Sequence, residues 1–552
     1  MSPKQIWMCR CNCRPRFQDT LPHRRAQNHL QHKLPSNILH CFPLEAQILL
    51  MPSNSLSFND AYKTWRNRAR KYSRNSLIVT ILNLLQRRHF DRFEALQRAP
   101  WISFLFLKWI CQDPYFDRNI GRDVSDSEFN DLRNRLWNLT EGGHTHLSET
   151  RPGPLFLRQL INPQIPFQRR LTRGFVREAA LLDQLQHDHP LIIMFRGLTG
   201  LSPAEFIDFS VAAHGAIANG NLDFSVKWFR PLARIHSGAK IQCFVNCIAR
   251  TQPELIDFFR GLPESGRNRK VESEYYEFTP LRRYPFLLQG DVLKCWHPKV
   301  FERGIEGFVH SVLSEKGKPY IDRFSKIFER HIVDQAERIA PKFYDEAMLR
   351  GMLGEESKVP DGLLAWQGTN VFLESKAGLF DDSVLVAGHN RIFADKTSLI
   401  RKAIHQAWAV SVGISGNEHA PCEIRLAKNN YLLVITNKDI NASRASMLAA
   451  MFELGRLEYP NDLAQTLLPL DHVYILFVDD YERLLAGLET GERSLPDILE
   501  DCVLRDSDPA TSCYHFAMHL DHLKFGELRS CLVTNAFDQS LERLRVGLTG
   551  NT

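Results

Sequence analysis

An α+β multidomain chain is what the sequence predicts: a large, mostly helical N-terminal region followed by a C-terminal α/β domain with a mixed central sheet. Three observations carry this. The chain has 552 residues, and at about 100–200 residues per domain that length implies roughly three to four domains. Apolar residues recur at spacings of three and four through the first half, the signature of buried helix faces. Near Pro360 the rhythm changes, and short β-branched and aromatic runs begin to alternate with helical stretches, as α/β architecture requires. The expected division is a flexible basic leader at 1–50, a helical domain at 51–265, a mixed connecting region at 266–339, and the α/β domain at 340–552.

Taken in order, Leu77, Ile81, Leu84 and Leu85, then Phe129, Leu132 and Leu136, keep helical spacing. Ser202-Pro203 with Glu205 reads as a helix start with proline at its first position. Residues 264–270 are polar and loop-like, and 275–278 and 284–288 are short strand-like runs. Helical periodicity returns over 300–353. Beyond it come strands at 362–367, 371–377 and 383–387, a helix at 397–412 with Asp395 placed to cap it, a strand at 431–436, a helix at 443–457 and a strand at 473–478. Tyr-Leu-Leu-Val-Ile-Thr and Val-Tyr-Ile-Leu-Phe-Val are continuously apolar, as strands covered on both faces are.

Composition narrows the function classes. Hydrophobic residues make up 44% and charged residues 24%, which argues against wholesale disorder and fibrous folds. The formal charge is +6, but residues 1–50 hold seven bases against two acids, so the remainder is nearly neutral. Any phosphate binding therefore rests on local patches rather than bulk charge. Twelve cysteines, several of them solitary beside apolar stretches (Cys111, Cys243, Cys295, Cys502, Cys531), point to a reducing, cytoplasmic setting. Residues 1–50 lack the continuous apolar stretch of a secretory signal and read as a flexible leader, with Met51 as an alternative start. Within it Cys9, Cys11 and Cys13 lie near several histidines, but their spacing departs from familiar zinc sites. No apolar run reaches the ~18 residues of a membrane-spanning helix, and no phosphate-loop motif supports ATP-driven work.

Chemistry concentrates in the α/β region. Pro360-Asp361 is followed, thirteen residues after the aspartate, by Glu374-Ser375-Lys376 within Val-Phe-Leu-Glu-Ser-Lys-Ala. On an extended chain Phe372, Glu374 and Lys376 share one face. Two charges on an otherwise apolar strand are costly unless they face a cleft or bind something. A hairpin turning around 368–370 brings Asp361 to Glu374. Two acids with water are what Mg2+ prefers, and such an ion neutralises the charge that develops as a phosphodiester is cleaved. Lys376, on the same face, is placed to orient the attacking water. The competing explanation is a salt-bridged Glu374–Lys376 pair on an exposed strand.

These residues resemble the PD-(D/E)xK, or restriction-endonuclease-like, nuclease superfamily over roughly residues 340–480. The resemblance implies an α-β-β-β-α-β core whose first helix is 341–353. It implies metal ligands at Asp361, Glu374 and the Ser375 carbonyl, with Lys376 assisting the nucleophile. It further suggests an added acid, Glu346, and a glutamine, Gln406, on the helix after the third strand. The cofactor implied is Mg2+ or Mn2+. Two basic stretches are candidates for nucleic-acid contact: Arg66, Arg70 and Lys71, interleaved with Trp65 and Tyr72, and Arg169, Arg170 and Arg173, with Arg177 beyond. The expected activity is hydrolysis of DNA, with defence against foreign nucleic acid as a role drawn by analogy. The rivals are a ribonuclease using the same site and an inactive nucleic-acid-binding or scaffold protein. A protein partner or a second copy on the helical region is also anticipated, and no membrane.

Overall fold

The computed structural model describes residues 57–87, 98–118, 120–140, 153–168, 173–262, 272–377, 383–386, 390–452, 455–526 and 530–549. The basic leader at 1–50, with its cysteines, lies outside them. From Ser55 onward the chain forms one compact unit. Among the described residues no helix is long and apolar enough to cross a membrane.

The N-terminal layer is helical, as its spacing predicts. Helix α1 (Phe58–Ala69) is capped by Ser57 and buries Tyr62, Trp65 and Ala69, and α2 (Arg74–Gln86) packs beside α3 (Pro100–Gln112). Every residue of α3 is buried, so α1, α2 and α4 (Asp126–Trp137) surround it. Trp65 packs edge-on against Phe106 and Trp109 at 5.0 and 5.4 Å. Farther along, α5 (Pro203–Ala218) opens with the capping box Ser202/Glu205.

Two mixed sheets follow. The first lies partly inside the stretch expected to be all helix. Its strands β1 (Asp223–Ser225), β2 (Ala249–Thr251), β3 (Phe286–Gln289) and β4 (Val292–Cys295) are ordered β1-β4-β3-β2. Three-residue strands such as β1 and β2 are too short to show the period-two alternation on which sequence recognition of strands depends.

The second sheet consists of β5 (Lys342–Asp345), β6 (Gly362–Trp366), β7 (Thr369–Lys376), β8 (Asn429–Thr436) and β9 (Val473–Phe477), in that spatial order. β5, β6 and β7 form an antiparallel meander, and β8 and β9 continue it in parallel. The β6–β7 hairpin turns through Gln367-Gly368, Trp366 pairing with Thr369, and Gly368 takes the left-handed φ of +80° that a side chain would resist. Gly362 is needed for space: a Cβ there would lie 2.5 Å from the Phe343 ring of the neighbouring strand.

Helix α6 (Lys318–Glu337) covers one face of this sheet. It buries Tyr320, Phe324, Phe328, Ile332 and Ala336, a stripe advancing by four, in one core with Val371, Leu373, Leu433 and Ile435. After α7 (Glu346–Leu353), helix α8 (Ser398–Gly416) covers the other face, with Ile400, Ile404, Ala407 and Trp408 packed in one core with Phe372, Leu432 and Val434. In chain order α6 is followed by β5, α7, the β6–β7 hairpin, two short helices (Ser383–Val386 and Asn390–Lys396), α8 and β8. Helix α9 (Val478–Leu488) follows β9, then α10 (Leu495–Ser507), α11 (Phe516–His522) and α12 (Cys531–Thr549). α12 returns to α5, where Arg543 grips Asp208 at 2.7 Å, so the last helix packs against the N-terminal region.

The α+β class is as expected, but the expected helix, three-strand, helix, strand order is not what the chain follows: α7 separates β5 from β6, and helices replace the third strand. Residues 341–353 are not one helix: β5 precedes α7, as an edge strand paired only to β6. The expected strand at 383–387 is a short helix, Ser383–Val386. Its carbonyls are taken by buried side chains instead of a neighbouring strand: Arg158 donates to the Val384 carbonyl at 2.5 Å and Gln159 to that of Val386 at 2.6 Å. Asp395 does not cap α8, whose N-cap is Thr397; it pairs with Arg456 at 3.4 Å.

Candidate metal centre

The site lies at the end of the second sheet where β6 begins and β7 ends. Antiparallel register sets Gly362 opposite Leu373, which places Asp361, just before β6, beside the Glu374–Ser375 peptide. Asp361 Oδ2 accepts the Ser375 backbone N–H at 2.6 Å. The hairpin thus joins the two halves of the motif, at the spacing read from the sequence.

Glu374 points to the α8 side of β7, on the same face as Phe372, and is only 3% exposed. The Lys376 ammonium donates to its Oε1. Oε2 is buried and has no hydrogen-bond partner among the described residues. A buried carboxylate with one oxygen unsatisfied is unfavourable. Burial, then the Asp361 charge, push the Glu374 carboxyl up to about 7, against the opposing pull of Lys376. The expected ion pair therefore exists, yet the glutamate in it is sealed from water rather than lying on an exposed strand face. Converging hard oxygen donors with an unsatisfied lone pair suit a divalent cation such as Mg2+ or Mn2+, so the residues present fit the ion the motif implies.

Glu329 on α6 was not singled out by sequence. It is half-buried, and burial followed by the charges of Asp361 and Glu346 raise its carboxyl, with Lys376 and Lys326 opposing. Of the acids on α6, Glu329 is therefore the one that shares the electrostatic neighbourhood of Asp361. Glu346 lies within the same electrostatic neighbourhood, but its side chain is 44% exposed and pairs with Arg350 at 2.5 Å, an i, i+4 contact along α7. No local pattern distinguishes Glu329 from the other acids of α6; only packing across the sheet selects it.

Gln406 reaches the site indirectly. Its Nε2 donates to the Val359 carbonyl, two residues before Asp361, so the side chain fixes the approach of the Pro360-Asp361 backbone and its amide nitrogen is committed. Ser375 is 9% exposed, and its N–H is the group Asp361 holds.

The basic candidates separate. Tyr62, Trp65 and Tyr72 are core residues: this stretch buries its aromatics and leaves its bases outside, as a solvated helix face does. Arg70 forks onto Asp113 with two bonds of 2.8 Å and lies over Tyr115. Arg66 lies 5.8 Å over the Tyr62 ring, and Lys71 is exposed. Arg169 and Arg170 fall outside the described residues, as does the side chain of Arg173. Arg177 is buried and bound to Asp479 and Glu482. Sequence reasoning missed the bases on α6: Arg323, Lys326, Arg330 and Arg338 are exposed and line a groove of about 640 Å3. Lys326 and Arg330 flank the turn of α6 that carries Glu329.

Against protein-family models, curated proteins and solved structures, the chain finds no match.

Proposed function

We propose that this chain is a metal-dependent nuclease of the PD-(D/E)xK type that hydrolyses phosphodiester bonds, with DNA as the first substrate to test. The observation that carries the reading is the meeting of Asp361 with the buried, half-satisfied Glu374 at the end of a hairpin, Lys376 alongside. The β6–β7 hairpin, with α8 and the parallel strand β8 after it, supports the same reading.

Asp361, Glu374 and the Ser375 carbonyl would hold the ion, with Glu329 as a further acid. When bound, it supplies charge neutralisation at the scissile phosphate and acidifies water. Lys376 contributes a compact, mobile cation that orients the attacking water and offsets the charge building on the phosphoryl oxygens. Gln406 keeps the backbone ahead of Asp361 in register with β7. Of the bases on α6, Lys326 is the one coupled to Glu329, so it is placed to meet a phosphate backbone beside the acids.

The test is incubation of the purified full chain with labelled double-stranded DNA, single-stranded DNA and RNA, with and without Mg2+ or Mn2+, beside Asp361→Ala and Lys376→Ala. The expected result is metal-dependent product from DNA, reduced by at least ~100-fold in both variants while binding persists. Product from RNA alone reassigns the substrate. Metal-independent cleavage, or cleavage undiminished in both variants, overturns the proposal.

A further inference from the structure

A second group of metal-binding side chains lies on the far flank of the same sheet, beyond β9, and the nuclease reading makes no use of it. Cys502 and Asp506 are four apart on α10, so they share a helix face. Cys513 lies in the turn that follows, and His519 is on α11. Donor atoms of Asp506, Cys513 and His519 lie within 4.8 Å of one another, and the Cys502 thiol lies close enough to His519 to feel its charge.

The cluster is built in. Cys502, Cys513 and His519 are 1, 3 and 1% exposed. Asp506 is anchored on several sides: Oδ1 accepts the Cys513 N–H at 2.8 Å, and Oδ2 accepts the Tyr474 hydroxyl at 3.3 Å and lies 3.6 Å from Arg444 Nε. The same Oδ2 lies 3.1 Å from Nε2 of His519. Nδ1 of that ring is buried with no hydrogen-bond partner among the described residues. A carboxylate on one imidazole nitrogen, with the other nitrogen turned unsatisfied among thiols, is how proteins orient a metal-bound histidine.

We propose that Cys502, Cys513 and Nδ1 of His519 bind a zinc ion, with Asp506 orienting the imidazole through Nε2. Two thiolates and an imidazole are a zinc donor set, and the fourth position of the tetrahedron is left to water. Binding displaces the two thiol protons and the Nδ1 proton of His519, a ring that Asp506 holds in its charged form, and all three leave to solvent. The ion pins α10 and its following turn to α11, and through Tyr474 to the β9 edge. Solitary-looking in the sequence, Cys502 gains its partners only through the fold, because C-x3-D-x6-C-x5-H matches none of the familiar zinc spacings.

The experiment is metal analysis of the full chain purified without chelator. The expected content is about one zinc per chain, falling below about a tenth in Cys502→Ser/Cys513→Ser, and retained in both Asp361→Ala and Cys9→Ser/Cys11→Ser/Cys13→Ser. Should the cysteine pair variant fail to fold, the triple-serine protein answers alone: exchange with Co2+ should give thiolate-to-cobalt charge-transfer absorption, and removal of the metal should lower Tm reversibly. A wild-type chain without zinc that also gives no such band with Co2+, or zinc unaffected by loss of Cys502 and Cys513, overturns the proposal.

Discussion

Two glutamates buried against the second sheet have opposite fates. Glu482, on α9, is 0% exposed, yet Arg177 forks onto its two oxygens at 2.9 and 2.8 Å and His331 Nε2 lies 3.0 Å away. Burial raises its carboxyl, but the Arg177 charge and these bonds more than offset that and hold it down to about 2. At Glu374 burial and the Asp361 charge outweigh the lowering by Lys376 and the Asp361 backbone, Oε2 has no hydrogen-bond partner among the described residues, and the carboxyl rises to about 7. A structural ion pair is completed by the protein itself. A site that binds a cation is left incomplete, and Glu374 has that character.

The strongest way to break this comparison is to remove each cation. Arg177→Ala leaves Glu482 and Asp479 without their partner in a sealed position, and the expected loss is about 3–5 kcal/mol. Lys376→Ala leaves a carboxyl already able to take a proton near neutrality, so the metal-free protein should lose under ~1 kcal/mol. Thermal and urea unfolding at pH 7 measure both. Equal losses would show that Glu374–Lys376 is a structural pair like the other.

Titration sharpens it. Glu374 holds its proton more tightly in the folded state than in the unfolded chain, so its contribution to stability is fully present below pH 4.5 and is lost as pH rises through about 7. Metal-free Glu374→Gln should therefore match wild type near pH 5 and exceed it by about 3 kcal/mol at pH 8, while Mn2+ stabilises wild type and not the variant. Glu482 is the reverse case: its contribution is present above pH 4.5 and lost as pH falls through about 2, so Glu482→Gln should be the weaker protein at pH 7. A flat Tm difference between Glu374→Gln and wild type from pH 5 to pH 8 would remove the electrostatic basis of the site.

The contrast also marks what was readable beforehand. Asp361, Glu374 and Lys376 were legible because strand alternation and a two-residue turn are local rules that survive folding. The α+β class and most helices were legible for the same reason. The break within 341–353 was not, since these residues carry apolar spacing of their own and only edge pairing to β6 separates β5 from α7. Ser383–Val386 has strand composition, and it is the buried Arg158, more than two hundred residues earlier in the chain, that claims its carbonyls. Trp65 and Tyr72 stood among candidate nucleic-acid-contacting bases because sequence shows which residue types lie together, not what they pack against.

The smallest effect tests how the site is held rather than what it does. Gln406→Ala removes the amide that donates to the Val359 carbonyl and leaves Asp361, Glu374 and Lys376 chemically intact. One neutral hydrogen bond is worth about 1 kcal/mol, so Tm should fall only slightly. Displacing the backbone before Asp361 nonetheless shifts a carboxylate that the proposed function assigns to the metal. Cleavage at saturating Mn2+ should fall by roughly 10-fold or less, since loss of position is milder than loss of a charged group, and the Mn2+ concentration needed for half-maximal activity should rise. Gln406→Glu separates this role from direct ligation. A carboxylate there cannot donate to Val359, so a positioning residue gives a variant no better than alanine, whereas a ligand in its own right gives one that tightens Mn2+ binding.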